Sequence, residues 1–184
     1  ITLWYRPPEL LLGATLYSTE VDVWSVGCIF AEMLLGKPLM PGQGDVNQLE
    51  LTWALCGTPT AENWPAYDEL PGARRKWKQR RPALRGLLPA QSYTGGAYLS
   101  APGLDLLSRM LALDPAQRIS AADALEHDWF VREHPRPKER ADMPVFAATN
   151  DGKKVSEQLS PKVGLFQRSA NAAALIGELE GGGR

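Results

Sequence analysis

A nine-residue run that is apolar on every helical face constrains the fold of this chain most. Residues 23–31 read VWSVGCIFA, and Gly36 follows as a helix stop. Thr19 precedes the run as a candidate cap, with Asp22 three residues later in a variant of the capping box. A helix that is apolar all round belongs in the centre of a domain, and this one is too short to span a bilayer. We therefore expect a soluble domain built around this helix.

Three further segments predict helices. One runs from Asp45 to Cys56, with Gln48 in the capping-box position and a glycine after the last residue. Another covers residues 102–113, where leucines recur at helical spacing, and a third runs from Ser120 towards Trp129. No run of alternating apolar and polar residues is convincing, so the fold class is mainly α.

The aromatic residues divide the chain into two parts. All six Trp and all five Tyr lie at or before Trp129, and the later residues are rich in Pro, Gly, Ser and Lys. Such a segment buries too little apolar area to offset its ordering entropy. We expect a folded body at 1–130 and a largely disordered tail at 131–184, with room for one short helix near 172–179.

Charge and cysteine content narrow the function classes. With 44% hydrophobic residues and a net charge of −1, the 184-residue chain has no overall charge that would attract nucleic acid or an anionic membrane. Cys28 and Cys56 lie among apolar neighbours, which favours reduced, buried thiols.

No self-contained active site is present in the sequence. There is no glycine-rich phosphate loop, no metal-binding helix motif and no serine nucleophile elbow. His127 and His134 lie outside any ligand spacing, and we interpret His127 as a surface or capping residue. We expect no metal site and no chemistry by this chain unaided.

Three separated motifs nevertheless form a recognisable constellation. They are residues 2–9 (TLWYRPPE), 22–27 (DVWSVG) and 113–120 (LDPAQRIS). In this order they resemble the second half of a eukaryotic protein kinase catalytic domain, with Pro7, Pro8 and Glu9 where the kinase A-P-E motif stands. The resemblance covers about 1–130 and implies the C-terminal helical lobe of the kinase fold.

The resemblance implies roles for four residues. Glu9 and Arg118 match the buried ion pair that anchors the end of the activation segment to the helical lobe, a task that suits two planar, bidentate groups. Asp22 matches the aspartate that hydrogen-bonds the backbone of the catalytic loop, although a plain helix cap is the alternative. Thr2 matches the threonine that holds the catalytic aspartate.

Residues 3–13 (LWYRPPELLLG) and 24–32 (WSVGCIFAE) are similar to the cyclin-dependent kinase group. Kinases of this group are proline-directed, and the resemblance implies substrate-binding roles for Ile1, Trp4 and Arg6. In the family the first of these positions is backbone-strained and the arginine satisfies its carbonyl. Proline, which has no N–H, then fits the next subsite without leaving a donor unpaired.

Pro7 and the segments 48–51 (QLEL) and 55–59 (LCGTP) resemble the transcriptional branch of that group. Its members phosphorylate the heptad-repeat tail of RNA polymerase II, which is made of Ser-Pro repeats. This resemblance implies a nuclear protein, with a cytoplasmic fraction left open.

The motifs that hold ATP and Mg²⁺ in the family all precede the position of Ile1, as does the helix that contacts the cyclin. We therefore expect the parent protein to be a cyclin-dependent Ser/Thr kinase, and the 184-residue chain to lack catalysis and tight ATP binding by itself. Two alternatives remain open: a catalytically dead, truncated helical interaction module, or a kinase of the mitogen-activated type.

Residues 74–85 hold most of the positive charge of the body. A solvated insert loop is one interpretation of this run, and a dock for an acidic or phosphorylated partner is the other. Trp77 lies within the run as an anchor or a stacking surface. The seven basic residues are Arg74, Arg75, Lys76, Lys78, Arg80, Arg81 and Arg85.

Overall fold

The computed structural model describes residues 2–88, 99–133 and 142, and the predicted helix near 172–179 lies outside these residues, as does His134. Within the described residues the chain is helical and contains no strand. The α-helices are α1 (Pro8–Leu11), α2 (Glu20–Leu35), α3 (Asp45–Cys56), α4 (Leu84–Leu87), α5 (Ala101–Met110), α6 (Ala121–Leu125) and α7 (Asp128–Val131). Short 3₁₀ turns cover Leu3–Tyr5, Tyr67–Glu69, Pro71–Arg74 and Pro115–Gln117.

Helix α2 packs against α5 in the centre of the core. Trp24 on α2 is fully buried, and Gly27 faces Met110 and Leu111 so closely that an added Cβ would lie 3.0 Å from side-chain atoms of both. A glycine at this point allows the two helices to approach. The helix ends at Gly36, which takes the left-handed conformation at φ 67° as predicted.

One face of α2 is not covered by the described residues. Val26, Ile29 and Met33 are 51%, 46% and 71% exposed, and they follow one another at helical spacing. The expectation of a helix buried on all sides therefore holds for the face towards α5, whereas the opposite face is an exposed apolar stripe.

Thr19 stands at the N-cap position of α2, as the sequence predicted, but the predicted capping hydrogen bond is absent. Thr19 makes no side-chain capping hydrogen bond, because its own backbone is already in the right-handed helical region, at φ −65° and ψ −16°. A capping side chain needs an extended backbone at that position to reach the first-turn amides.

Helix α3 begins at Asp45 and ends at Cys56, as the sequence predicted. Gln48 does not complete a capping box, however. Its side chain turns back to the loop before the helix and accepts a hydrogen bond from the Gly42 amide at 3.0 Å.

Helix α5 begins one residue earlier than predicted, at Ala101, and ends three residues earlier, at Met110. The predicted helix from Ser120 towards Trp129 is two helices. Ser120 Oγ caps the first, accepting a hydrogen bond from the Asp123 amide. The helix then stops because His127 is extended, at φ −68° and ψ 146°. Its ring is drawn towards α5, where Nε2 lies 2.9 Å from Asp105 Oδ2.

Candidate functional site

A buried fork of two hydrogen bonds joins Glu9 to Arg118 across 109 residues of sequence. The Arg118 NH1 and NH2 groups donate to Oε1 and Oε2 of Glu9 at 2.8 and 3.0 Å. The Glu9 side chain is 4% exposed, and the Arg118 side chain is 0% exposed. The sequence motifs singled out both residues, and the structure brings them together in bidentate geometry, the strongest form of carboxylate recognition.

Arg118 makes two further hydrogen bonds and an aromatic contact. Its Nε donates to the Ala112 carbonyl at 3.2 Å, NH1 donates to the Glu20 carbonyl at 2.8 Å, and the guanidinium lies 5.1 Å from the centre of the Trp24 ring. One side chain therefore links α1, the start of α2 and the loop after α5. Because the Glu9 and Arg118 side chains are both buried, losing either charge would leave the other buried without its ion-pair partner.

The segment 2–6 is fixed to α2 through Tyr5. Its hydroxyl donates to Glu32 Oε2 at 2.7 Å, and its backbone carbonyl accepts from Ser25 Oγ at 2.9 Å. The hydrogen bond to Glu32 is the main reason that the pKa of Tyr5 is raised above its ordinary value. Sequence reasoning did not assign a role to either contact, although both partners lie in the 24–32 motif.

The same segment is fixed to α3 through Trp4. Its indole N–H donates to the Gly42 carbonyl at 2.9 Å, and its carbonyl accepts from Gln48 Nε2 at 3.4 Å. The Gln48 side chain is fully buried and so connects the Gly42 amide with the Trp4 carbonyl. The sequence feature that could have indicated this contact is a glutamine at the start of a helix. Gln48 was interpreted as a capping residue instead.

Arg6 lies at the exposed edge of this assembly. Its NH1 is 3.7 Å from Asp45 Oδ1, and the two side chains are 36% and 65% exposed. Thr2 is exposed at the start of the segment, and Ile1 lies outside the described residues. The structure thus places Trp4 and Arg6 together at the start of α3, and leaves the roles predicted for Ile1 and Thr2 as predictions.

Asp22 is exposed on the first turn of α2, close along the helix to the apolar stripe of Val26, Ile29 and Met33. The role implied for Asp22, a hydrogen bond to the backbone of the catalytic loop, stays a prediction, and among the described residues its carboxylate lies on the surface. This position follows from the uncovered face of α2.

The basic run lies along the surface as an ordered segment, with Trp77 turned inward. The Trp77 indole N–H donates to the Tyr67 hydroxyl at 2.9 Å, and its ring meets Trp53 edge-on at 5.9 Å between centres. Of the two roles considered for Trp77, the structure favours the anchor.

His127 and the two cysteines have contacts or burial within the fold. His127 Nδ1 accepts from the Trp129 amide and so caps α7. Cys28 is buried and Cys56 partly buried, both as free thiols, and burial raises the pKa of each, that of Cys56 to about 12.

Within the described ranges no three His, Cys, Asp or Glu side chains are placed to hold a metal ion, and the sequence has no glycine-rich phosphate loop. No described helix combines the length and apolarity needed to cross a membrane.

Comparison with known proteins defines the class. The family model "Protein kinase domain" matches residues 1–130, so the chain belongs to the protein kinase family. The two motifs that supply Glu9 and Arg118 both lie within the matched range.

Several similar proteins within the family are named as cyclin-dependent kinases. The chain is 51% identical over 152 residues to cyclin-dependent kinase G-1 of Oryza sativa subsp. indica, covering 82% of this chain and 22% of that protein. It is 50% identical over 147 residues to cyclin-dependent kinase G1 of Arabidopsis thaliana, covering 79% and 24%. It is also 43% identical over 164 residues to human cyclin-dependent kinase 11B, covering 88% and 20%.

These matches confirm the predicted resemblance to a cyclin-dependent kinase of the transcriptional branch. The chain spans between a fifth and a quarter of the length of these relatives.

Proposed function

We propose that the chain is the C-terminal helical lobe of a proline-directed, cyclin-dependent Ser/Thr kinase. In the parent protein, the γ-phosphoryl of ATP passes to the hydroxyl of a Ser or Thr that is followed by Pro. The division at residue 130, with a tail from 131, is part of the same proposal.

The observation that carries this proposal is the way segment 2–9 is held. Glu9 fixes its end through the buried fork with Arg118, and Trp4 and Tyr5 fix its middle to α3 and α2. A rigid segment of this kind can present a substrate-binding edge without an ordering cost at each encounter. We assign the residue after the phosphoacceptor to that edge, beside Trp4 and Arg6.

Proline is the residue that suits such an edge. A substrate amide placed there without an acceptor would lose its hydrogen bond to water, and proline has no amide hydrogen to lose. The heptad-repeat tail of RNA polymerase II, with its repeated Ser-Pro pairs, is the substrate that we propose, and a nuclear location follows from that substrate.

In this proposal ATP and Mg²⁺ are cofactors of the parent protein and are held by parts of the kinase domain other than this lobe. They supply the transferred phosphoryl group and the charge that neutralises it. A cyclin is the proposed activating partner, bound mainly outside this lobe. The exposed apolar stripe of α2 is the face that we expect the remainder of the kinase domain to cover.

The test is a kinase assay on the intact protein with and without its cyclin. Matched peptides would carry Ser-Pro or Ser-Ala at one position, and we expect phosphorylation of the Ser-Pro peptide at least tenfold faster and only with cyclin. Activity that does not need cyclin would favour a mitogen-activated type of kinase. No activity on either peptide would favour a helical interaction module.

A further inference from the structure

The seven basic residues of 74–85 form a surface that the proposed reaction does not use. We call this set the basic surface. Six of its members are exposed, and Arg80 is partly buried. Only four other Lys or Arg residues occur in 1–130, so the positive charge of the matched domain is concentrated here.

The basic surface is held in place from beneath by Trp77. The indole donates to Tyr67 and packs edge-on against Trp53 of α3, and the Arg75 guanidinium lies 4.9 Å from the Trp77 ring centre. Cations arranged on such a frame bind an anion with less loss of conformational entropy than cations on a mobile loop.

A second attachment joins the basic surface to the end of α3. The Thr58 amide donates to the Arg80 carbonyl at 3.2 Å, the Arg80 amide donates to Thr58 Oγ1 at 2.9 Å, and Thr58 Oγ1 donates to the Lys78 carbonyl at 3.0 Å. The backbone of the run is therefore tied to the residue that follows the helix terminator Gly57.

Helix α3 consequently separates the proposed proline subsite from the basic surface. Trp4 and Arg6 contact its first turns through Gln48 and Asp45, and Lys78 and Arg80 lie beyond its last turn. The helix has 12 residues, which at 1.5 Å per residue is about 18 Å. An extended peptide spans about 3.3 Å per residue, so seven residues reach about 23 Å and can bridge that distance.

We propose that the basic surface binds a phosphoserine of the substrate chain, about one heptad C-terminal to the serine being phosphorylated. The direction follows from α3, which begins at the subsite for the residue after the phosphoacceptor. A phosphate carries about −1.5 to −2 charges, and arginine forks bind it bidentately. This inference rests on the proposed function and makes earlier phosphorylation of a repeat a stimulus for the next.

A phosphorylated polypeptide fits the surface better than a nucleic acid does. Proteins that bind single strands pair their cations with exposed aromatic rings on which bases stack. Trp77 is the only aromatic residue of the run, and its ring is turned inward against Trp53 and Tyr67.

The test uses the intact kinase with its cyclin and two-repeat peptides. One peptide has a phosphoserine one heptad C-terminal to the target Ser-Pro, one has it one heptad N-terminal, one has none, and one has Ser-Ala as target. We expect the C-terminal phosphate to raise kcat/KM about tenfold, the size of one charge-assisted contact. The variant Lys76→Glu/Arg81→Glu should lose that gain and keep its rate on the unphosphorylated peptide.

The matched control is Arg109→Glu/Arg132→Glu, which reverses two exposed cations outside the basic surface and should keep the gain. Equal kcat/KM with and without the C-terminal phosphate, a gain from the N-terminal phosphate, or a gain that survives Lys76→Glu/Arg81→Glu would each overturn the inference. The ratio of kcat/KM for the Ser-Pro target over the Ser-Ala target is determined separately. A ratio near one would contradict the proposed function and would leave the phosphoserine inference to the other comparisons.

A binding measurement keeps the inference testable without catalysis. Fluorescence anisotropy with a phosphopeptide that has no phosphoacceptor should show at least tenfold weaker binding by Lys76→Glu/Arg81→Glu. Unchanged binding, or tighter binding of a single-stranded RNA of equal length to the wild-type protein, would overturn it.

Discussion

Two ion pairs within the described part of the chain join segment 2–9 to other elements, and they differ in burial and in distance. Glu9 and Arg118 meet at 2.8 Å with neither side chain more than 4% exposed, whereas Arg6 and Asp45 lie 3.7 Å apart at the surface. Breaking the first pair costs much free energy because a charge would remain buried without a partner. Breaking the second pair costs little because water solvates both charges. The buried pair is suited to holding the segment in place, and the exposed pair lies beside the edge to which we propose that the substrate binds.

The largest effect is expected when one partner of the buried pair is removed. Arg118→Ala would leave Glu9 charged and dry, so we expect a loss of about 3–5 kcal/mol in the free energy of unfolding. Denaturant titration of the intact protein measures it. The matched control is Arg109→Ala, which breaks the exposed pair with Asp105 and should cost about 0–1 kcal/mol. Similar losses for the two variants would contradict the contrast in burial.

A second prediction concerns the buried amide that links α3 with Trp4. Gln48→Leu keeps the side-chain size but removes the acceptor of the Gly42 amide and the donor to the Trp4 carbonyl. We expect a loss of about 1–3 kcal/mol, because the buried Gly42 amide loses its side-chain acceptor and the partly buried Trp4 carbonyl loses its side-chain donor. Thermal unfolding measures it, with the exposed neighbour Asn47→Leu as control. A change within about 0.5 kcal/mol would mean that Gln48 does not support the segment.

The raised pKa values of the two cysteine thiols predict how the free energy of unfolding changes in alkaline solution. Burial raises the pKa of Cys56 from 9.0 to about 12, so the folded state keeps a proton that the unfolded state releases. This contribution is complete below pH 9 and is lost as the pH rises from 9 towards 12, by about 1 kcal/mol at pH 10. Denaturant titrations at pH 8 and pH 10 test it, and Cys56→Ala should reduce the difference. A protein equally stable at both values, or more stable at pH 10, would contradict the prediction.

The smallest expected effect is on the exposed pair. Asp45→Asn removes the charge beside Arg6 and should change the free energy of unfolding by about 0–1 kcal/mol. The KM for a Ser-Pro peptide is the sharper measurement, since we expect it to change while unfolding stays the same. A loss of stability comparable to that of Arg118→Ala would mean that both pairs are structural.

Several of these elements could be predicted because the sequence alone encodes them. Helix α3 lies between Gly44 and Gly57, and these residues mark both ends of an apolar pattern. The pairing of Glu9 with Arg118 depends on a fold that brings distant residues together, and it was accessible only through the motifs that resemble a kinase.

Other contacts depend on tertiary geometry that no local pattern carries. The break at His127 arises from its bond to Asp105, 22 residues earlier, and local propensity favours a continuous helix there. Gln48 occupies a capping-box position, yet the approach of Gly42 and Trp4 offers it other partners. The surface position of Asp22 depends on which residues pack against α2. Neither the charge of Asp22 nor its position in the helix predicts that packing.

The most direct test of the account is the selectivity for proline measured in two versions of the intact kinase with its cyclin. The ratio of kcat/KM for Ser-Pro over Ser-Ala peptides would be compared between the wild type and Arg6→Gln, with thermal unfolding as the check on folding. We predict a ratio above about ten for the wild type and a several-fold lower ratio for Arg6→Gln at the same unfolding temperature. A ratio near one in the wild type, or an unchanged ratio in the variant, would contradict the assignment of this edge to proline recognition.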